Sequence, residues 1–114
     1  MASGVKIFIY PVKDLDRAKS LFGALIGAEP AIDSPYYVQY DLGDQRLGLD
    51  PNGHSQGMTG PLNYWHVDDI EKSLQNLLGA GAETQQAVRD VGGGKLIASV
   101  KDTDGNVIGL LQAP

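Results

Sequence analysis

Apolar residues recur along this chain with two different spacings. Short runs that alternate between apolar and polar residues, or that are apolar throughout, predict strands. Two longer stretches carry apolar residues three and four positions apart, which predicts helices. The predicted strands are residues 5–12, 36–42, 45–50, 62–67, 83–91, 95–101 and 106–112, with a short strand or loop at 29–34.

The first predicted helix follows the strand that ends at Val12. Asp14 is its expected N-cap, because a carboxylate there accepts a hydrogen bond from an unpaired N–H of the first turn. Gly27 is expected to end it in a left-handed conformation. The apolar face predicted to meet the core consists of Leu15, Ala18, Phe22, Leu25 and Ile26.

The second predicted helix follows Val67. Asp68 with Glu71 three residues later fits a capping box, in which the two side chains satisfy backbone N–H groups at the helix start. Gly79 or Gly81 is expected to end this helix. Its apolar face consists of Ile70, Leu74, Leu77 and Leu78.

The two helix regions are similar in sequence. Residues 12–29 align with residues 67–83, with Asp14 on Asp69 and one gap near the end. A repeat of about half the chain length predicts two similar structural units.

Each unit has the predicted order strand, helix and about three strands. We therefore expect an α+β fold with two tandem βαβββ modules, forming a cupped, mixed or antiparallel sheet with the helices on its outer face. The 114 residues suit one domain, with module 1 at about 4–51, a linker at 52–60 and module 2 at about 61–113. A two-residue hairpin loop at 43–44 would place Gln39 opposite Gly48.

Composition narrows the possible partners. The chain is 42% hydrophobic with a net charge of -5, as in a soluble globular protein. Its Lys and Arg residues are scattered, which argues against nucleic-acid binding. It has no cysteine, so disulfides and thiolate metal sites are excluded. No apolar run approaches the roughly 20 residues of a membrane span, and no export signal is evident, so we expect a cytoplasmic protein without membrane contact.

The sequence resembles the vicinal oxygen chelate superfamily, which includes glyoxalase I, extradiol dioxygenases, fosfomycin-resistance enzymes and bleomycin-resistance proteins. Three segments carry the resemblance: Val12-Lys13-Asp14-Leu15, Val67-Asp68-Asp69-Ile70, and residues 101–110, KDTDGNVIGL. The resemblance implies paired βαβββ modules and a homodimer in which two chains complete two pockets.

The family chemistry depends on a metal ion held by His, Gln or Glu side chains from four strands of the concave face. The resemblance places these positions at Ile7, Gly48, Leu62 and Gly109. None of these side chains can coordinate a metal. We therefore expect no metal and no other cofactor, as in the binding members of the family, and we expect the two glycines to leave room for a ligand.

Strand alternation selects the side chains that share a face with these four positions. The predicted ligand-binding residues are Tyr37, Gln39, Arg46, Asp50, Tyr64 and His66. Such a mixture of aromatic and polar groups is typical of small-molecule pockets. His66 could also bond a backbone carbonyl, or join Asp50 and His54 in a different metal site. Trp65 shares its side of the strand with Val67 and is expected in the core.

Three functions are compatible with the sequence. The first is a metal-free protein that binds an amphipathic or aromatic small molecule, such as an antibiotic or a secondary metabolite, and could confer antibiotic resistance. The second is a lyase, isomerase or dioxygenase that uses non-standard residues around His66 and Asp50. The third is an interaction module whose cups are filled by side chains. No catalytic residue can be assigned from the sequence.

Overall fold

The computed structural model describes residues 2–114 and has the expected α+β composition. Each half of the chain contains one βαβββ module. The helices are α1 (Leu15–Ile26) and α2 (Ile70–Gly79). The strands are β1 (Ala2–Pro11), β2 (Ile32–Asp33), β3 (Val38–Leu42), β4 (Gln45–Asp50), β5 (Leu62–Val67), β6 (Glu83–Asp90), β7 (Leu96–Lys101) and β8 (Val107–Gln112). Within residues 2–114, neither α-helix is long and apolar enough to cross a bilayer.

The chain divides into two compact units. One unit is Ile7–Leu62, and the other is Asn63–Pro114 together with the residues up to Lys6. The first part of β1 therefore belongs with the second unit, although β1 opens module 1.

Module 1 has the strand order β2-β3-β4-β1. The pairs β2–β3 and β3–β4 are antiparallel, and β4–β1 is parallel. The loop between β3 and β4 is Gly43-Asp44, as expected, and Gly43 has a φ of 73° that favours glycine. This two-residue loop pairs Gln39 with Gly48, which confirms the expected register.

Helix α1 packs on one face of module 1. The buried cluster beneath it consists of Ala18, Val38, Tyr40, Leu47 and Leu49, with Leu15, Phe22 and Ile26 packed against it. Leu25 was expected on this face, but it is 79% exposed, so that prediction is wrong. The core spacing of α1 continues from Phe22 to Ile26, and Leu25 lies 100° away from Ile26 around the helix.

Module 2 has the strand order β5-β8-β7-β6, with β5–β8 parallel and the other two pairs antiparallel. Its buried cluster contains Val67, Ile70, Leu74, Ala98, Val100 and Leu110. Leu77 and Leu78 pack against this cluster, so the expected apolar face of α2 is confirmed.

Trp65 was expected in this core, and that prediction is wrong because its side chain is 40% exposed. Its register partner on β8, Leu110, is buried beneath the helix. Trp65 therefore points to the helix side of the sheet. Helix α2 packs against β6, β7 and β8, which leaves the β5 end of this side only partly covered.

Both helices begin with an aspartate cap, but the second is not the one expected. Asp14 accepts a hydrogen bond from the Arg17 N–H at 3.1 Å, as predicted. At α2 the cap is Asp69, which accepts from the Lys72 N–H at 3.2 Å. The capping box on Asp68 is wrong because Asp69, the residue directly before the helix, has the extended backbone that a cap requires.

The turn between β7 and β8 is held by Asp102. Its Oδ1 accepts from the N–H groups of Asp104 and Asn106 at 2.9 and 2.8 Å, and its Oδ2 accepts from Asn106 Nδ2 at 2.9 Å. The side-chain hydrogen bond from Asn106 is the largest factor that lowers the pKa of Asp102. This carboxylate therefore supports folding above its unfolded-state pKa, and the support is lost as the pH falls through the lower, folded-state pKa.

Replacing Asn106 by alanine should raise the pKa of Asp102 toward its ordinary value, because the largest stabilising contact of the ionised form is removed. A carboxyl-carbon NMR titration of Asp102 measures this change. Asn63→Ala, at an exposed asparagine elsewhere, is the control. An unchanged Asp102 titration in Asn106→Ala would contradict this assignment of the cause.

Replacing Asp69 by alanine should lower the free energy of unfolding by about 1 kcal/mol, because the α2 cap is lost. Asp69→Asn retains an acceptor oxygen and should lose much less. Urea unfolding monitored by circular dichroism compares the two variants. An equal loss of unfolding free energy in both variants would show that the hydrogen bond from the Lys72 N–H does not account for the effect of Asp69→Ala.

Candidate ligand-binding face

The strand registers of module 1 bring four of the predicted site residues onto one face. Val38 and Tyr40 are buried under α1, so Tyr37 and Gln39, which alternate with them, face the other way. Gln39 is in register with Gly48, and Gly48 is in register with Ile9 on β1. Arg46 and Asp50 lie two residues to either side of Gly48 and share its side of the sheet. We call this surface the helix-free face of module 1.

A chain of hydrogen bonds runs along β3 on the helix-free face. The Tyr37 hydroxyl donates to Gln39 Oε1 at 3.0 Å, and Gln39 Nε2 donates to Asp41 Oδ1 at 3.0 Å. Gln39 is only 8% exposed, so leaving its amide without partners would destabilise the fold. The chain therefore fixes the orientation of the Gln39 amide, and it ends at the exposed carboxylate of Asp41.

The Tyr37 ring lies across Gly48. A Cβ atom added to Gly48 would collide with the Tyr37 hydroxyl and lie 2.6 Å from Ile9 Cδ1 and 2.8 Å from Tyr37 Cε1. The prediction that Gly48 leaves room for a ligand is therefore wrong. Its missing side chain makes room for the tyrosine ring.

Asp50 and Arg46 lie at opposite ends of β4. Asp50 Oδ1 accepts a hydrogen bond from the Asn52 N–H at 2.8 Å, which shapes the turn after the strand. Arg46 is exposed and is in register with Asp41 on β3. The helix-free face thus carries two carboxylates and one guanidinium around a tyrosine ring.

In module 2, Tyr64 and His66 share the helix-free side of β5. Their register partners on β8 are Gly109 and Leu111. A Cβ atom added to Gly109 would lie 2.7 Å from the Asn63 backbone oxygen and 2.8 Å from Tyr64 Cδ1. The Tyr64 ring therefore fills the space above Gly109, and the expected room for a ligand is absent here as well.

The four positions to which the resemblance assigns metal ligands do not fit a metal ion. Ile7 and Leu62 have hydrocarbon side chains that are 7% and 9% exposed. Gly48 and Gly109 lack a donor, and tyrosine rings occupy the space that a donor would need. In the part of the chain that the structure describes, no group of three or more His, Asp or Glu residues could hold a metal ion. His54 lies exposed in the linker, in a 3-10 turn at His54–Gln56.

Module 1 also has a cavity of about 620 Å³ on its helix side, between α1 and the segment that leads into β2. Its lining includes Asp16, Lys19, Glu29, Asp33 and Tyr40. Lys19 Nζ contacts Asp33 Oδ1 at 2.9 Å, and this hydrogen bond is the main factor that raises the pKa of Lys19. None of the predicted ligand-binding residues lines this cavity. Sequence reasoning missed it because only tertiary packing brings these residues together.

Comparison with known proteins identifies the fold. Residues 4–110 match the family model described as the Glyoxalase/Bleomycin resistance protein/Dioxygenase superfamily. A member of that superfamily from Vibrio splendidus 12B01 has a similar structure, with 19% identity and a TM-score of 0.75 over 96% of this chain and 98% of that chain. No protein with a curated function matches the sequence.

Two other similar structures carry different activities in their descriptions. Methylmalonyl-CoA epimerase from Mycobacterium tuberculosis has 17% identity and a TM-score of 0.68 over 99% of this chain and 90% of that chain. A protein described as NAD-dependent benzaldehyde dehydrogenase from Legionella pneumophila has 13% identity and a TM-score of 0.75 over 95% and 98%. At such low identities these similarities show the fold alone.

Replacing Gly48 by alanine should destabilise the protein by about 1–3 kcal/mol, because the added methyl group collides with the Tyr37 ring and Ile9. Gly60→Ala is the matched control, since a Cβ atom there meets nothing within 4 Å. Urea unfolding of both variants gives the comparison. The loss of stability caused by Gly48→Ala should be smaller in a Tyr37→Phe background, which lacks the colliding hydroxyl. Equal stability of Gly48→Ala and Gly60→Ala would contradict the packing described here.

Proposed function

The chain belongs to the glyoxalase/bleomycin resistance protein/dioxygenase superfamily, and we propose that it binds an amphipathic or aromatic small molecule without a metal ion. The observation that carries the metal-free part of the proposal is that Gly48 and Gly109 have no donor group and lie beneath the rings of Tyr37 and Tyr64. A metal-assisted reaction needs a cation that polarises substrate oxygens, and these positions do not supply its ligands. We also propose that the protein acts as a cytoplasmic homodimer.

The helix-free face of module 1 suggests the class of ligand. Tyr37 is half-buried and lies against the strand at Gly48, so part of its ring is available for stacking or for a cation–π contact. Its hydrogen bond to Gln39 fixes the position of the ring. The carboxylates of Asp41 and Asp50 and the guanidinium of Arg46 lie on the same face, which leaves it with one net negative charge and favours a positive charge on the ligand. An aromatic molecule with a cationic group fits this chemistry best.

The enzymatic alternative has less support. A lyase, isomerase or dioxygenase built on His66 and Asp50 would need a carboxylate that is available to the substrate. One oxygen of Asp50 instead holds the turn at Asn52. The similarity to methylmalonyl-CoA epimerase extends to the fold, but the metal-ligand positions of this chain lack donors.

The proposal can be tested on purified protein stripped of metal by chelation. Metal-free bleomycin and ethidium, two aromatic cations, should raise the melting temperature, because binding to the folded state adds stability. Zn²⁺, Mn²⁺ and Ni²⁺ alone should not. Tyr37→Ala should weaken calorimetrically measured binding at least about fivefold, since an aromatic contact contributes about 1 kcal/mol beyond the area it buries. Tyr36→Ala is the matched control, because Tyr36 is 76% exposed.

Two results would contradict the proposal. Failure of both probes to bind would exclude ligands of this class. Deuterium incorporation into methylmalonyl-CoA from heavy water, dependent on one of the three metals, would favour the enzymatic alternative instead.

A further inference from the structure

The cavity beside α1 is separate from the helix-free face of module 1. It lies between α1 and residues 27–33, and Tyr40 of β3 lines it from the sheet. Its volume is about 620 Å³, and small-molecule sites occupy roughly 300–1,000 Å³. We call it the helix-side cavity.

The sequence repeat shows which residues of α1 open this cavity. Counted from the two helix caps, Lys19 and Gly23 of α1 correspond to Leu74 and Leu78 of α2. Leu74 is buried in the core of module 2, and Leu78 packs against that core. Module 1 therefore has an ammonium group and a glycine where module 2 has two large apolar side chains.

A buried tyrosine hydroxyl borders the cavity on its sheet side. Tyr40 corresponds to Val100 of module 2, because each follows the residue that pairs with the strand glycine, Gly48 or Gly109. Tyr40 is only 2% exposed, and its hydroxyl donates to the Lys19 backbone oxygen at 3.2 Å. The hydroxyl oxygen also has lone pairs that can accept a hydrogen bond from a ligand.

Gly23 keeps this hydroxyl accessible from the cavity. Its φ is not positive, and a Cβ atom added to it would lie 3.6 Å from the Tyr40 hydroxyl, which is an ordinary contact. Neither the backbone nor a close approach therefore requires glycine here, although glycine is unfavourable inside a helix. The open space above Tyr40 is what a larger residue would remove.

The charge of the cavity indicates the class of ligand. Asp16, Glu29 and Asp33 contribute three carboxylates and Lys19 one ammonium, a net charge of -2. Lys19 is bonded to Asp33, so the excess negative charge belongs to Asp16 and Glu29. Asp16 is in the first turn of α1 and Glu29 lies beyond its end, and residues 16 and 27 are about 16 Å apart along the helix axis. Positive charges at two separated points match this arrangement.

We propose that the helix-side cavity binds a linear aliphatic polyamine. One terminal ammonium group pairs with Asp16 and the other with Glu29, while the methylene chain between them crosses Gly23. An amino group within the chain donates a hydrogen bond to the Tyr40 hydroxyl oxygen. This site is independent of the aromatic ligand proposed for the helix-free face.

The first experiment is titration calorimetry of the full chain with spermidine at low ionic strength. The double variant Asp16→Asn/Glu29→Gln should weaken binding about tenfold, since each exposed ion pair accounts for roughly twofold to fivefold. Asp44→Asn/Glu71→Gln is the matched control, because it removes the same charge at two exposed positions outside the cavity. Decamethylenediamine should bind more tightly than putrescine, which has equal charge but a shorter chain.

The second experiment changes the affinity in opposite directions. Lys19→Met should strengthen spermidine binding roughly twofold to fivefold, because Asp33 then becomes available to the ligand. Gly23→Leu should weaken it at least about tenfold, because the side chain fills the cavity, and it should leave ethidium binding unchanged. Tyr37→Ala should leave spermidine binding unchanged. Circular dichroism melting confirms that each variant is folded, and the charge variants test the site if Gly23→Leu does not fold.

Each contrary outcome has a distinct meaning. Absence of spermidine binding at low ionic strength overturns the proposal, whatever ethidium does. Equal weakening by the two charge-removing double variants shows attraction to the overall charge of the protein and overturns the assigned site. A loss of spermidine binding in Tyr37→Ala places the polyamine on the helix-free face instead.

Discussion

The close packing of a side chain onto a glycine in a strand determines what each module can do. Gly48 and Gly109 are buried strand positions, and a tyrosine ring lies over each. Glycine allows this approach because it has no Cβ atom. The same contact removes the place from which a ligating side chain would reach a metal. At Gly48 and Gly109, two of the positions to which the resemblance assigns metal ligands, this chain therefore has packing contacts.

Much of the fold follows from the sequence because it depends on local chemistry. Alternation in strands, the 3.6-residue period of helices, aspartate caps and the Gly43-Asp44 turn all act over a few residues. The repeat even identifies the correct cap, since it aligns Asp14 with Asp69, whereas the local capping-box motif indicates Asp68. The errors at Leu25 and Trp65 have a different origin. Whether an apolar residue at the margin of a helix or strand becomes covered depends on where the neighbouring element ends.

The candidate site was only partly predictable for the same reason. Alternation and a two-residue loop suffice to place Tyr37, Gln39, Arg46 and Asp50 on one face. The contents of the space above Gly48 depend on the rotamer of Tyr37 and on its hydrogen bond to Gln39. A glycine in a sequence shows where a side chain is absent, but it does not show what fills the space. The cavity beside α1 joins residues from three elements, and no motif signals such a site.

The duplication separates what the fold requires from what is particular to each module. Ile9 and Tyr64 are equivalent in the repeat, and each is the register partner of the glycine that it covers. In both modules, therefore, a side chain from the first strand lies over the glycine. In module 1 alone, the Tyr37 ring also lies over the glycine. Its hydroxyl donates a hydrogen bond to Gln39, and Gln39 donates one to Asp41. The open space at Gly23 is likewise particular to module 1, because its counterpart in module 2 is a leucine. Because the second module folds without these additions, the function of the protein is most directly sought in module 1.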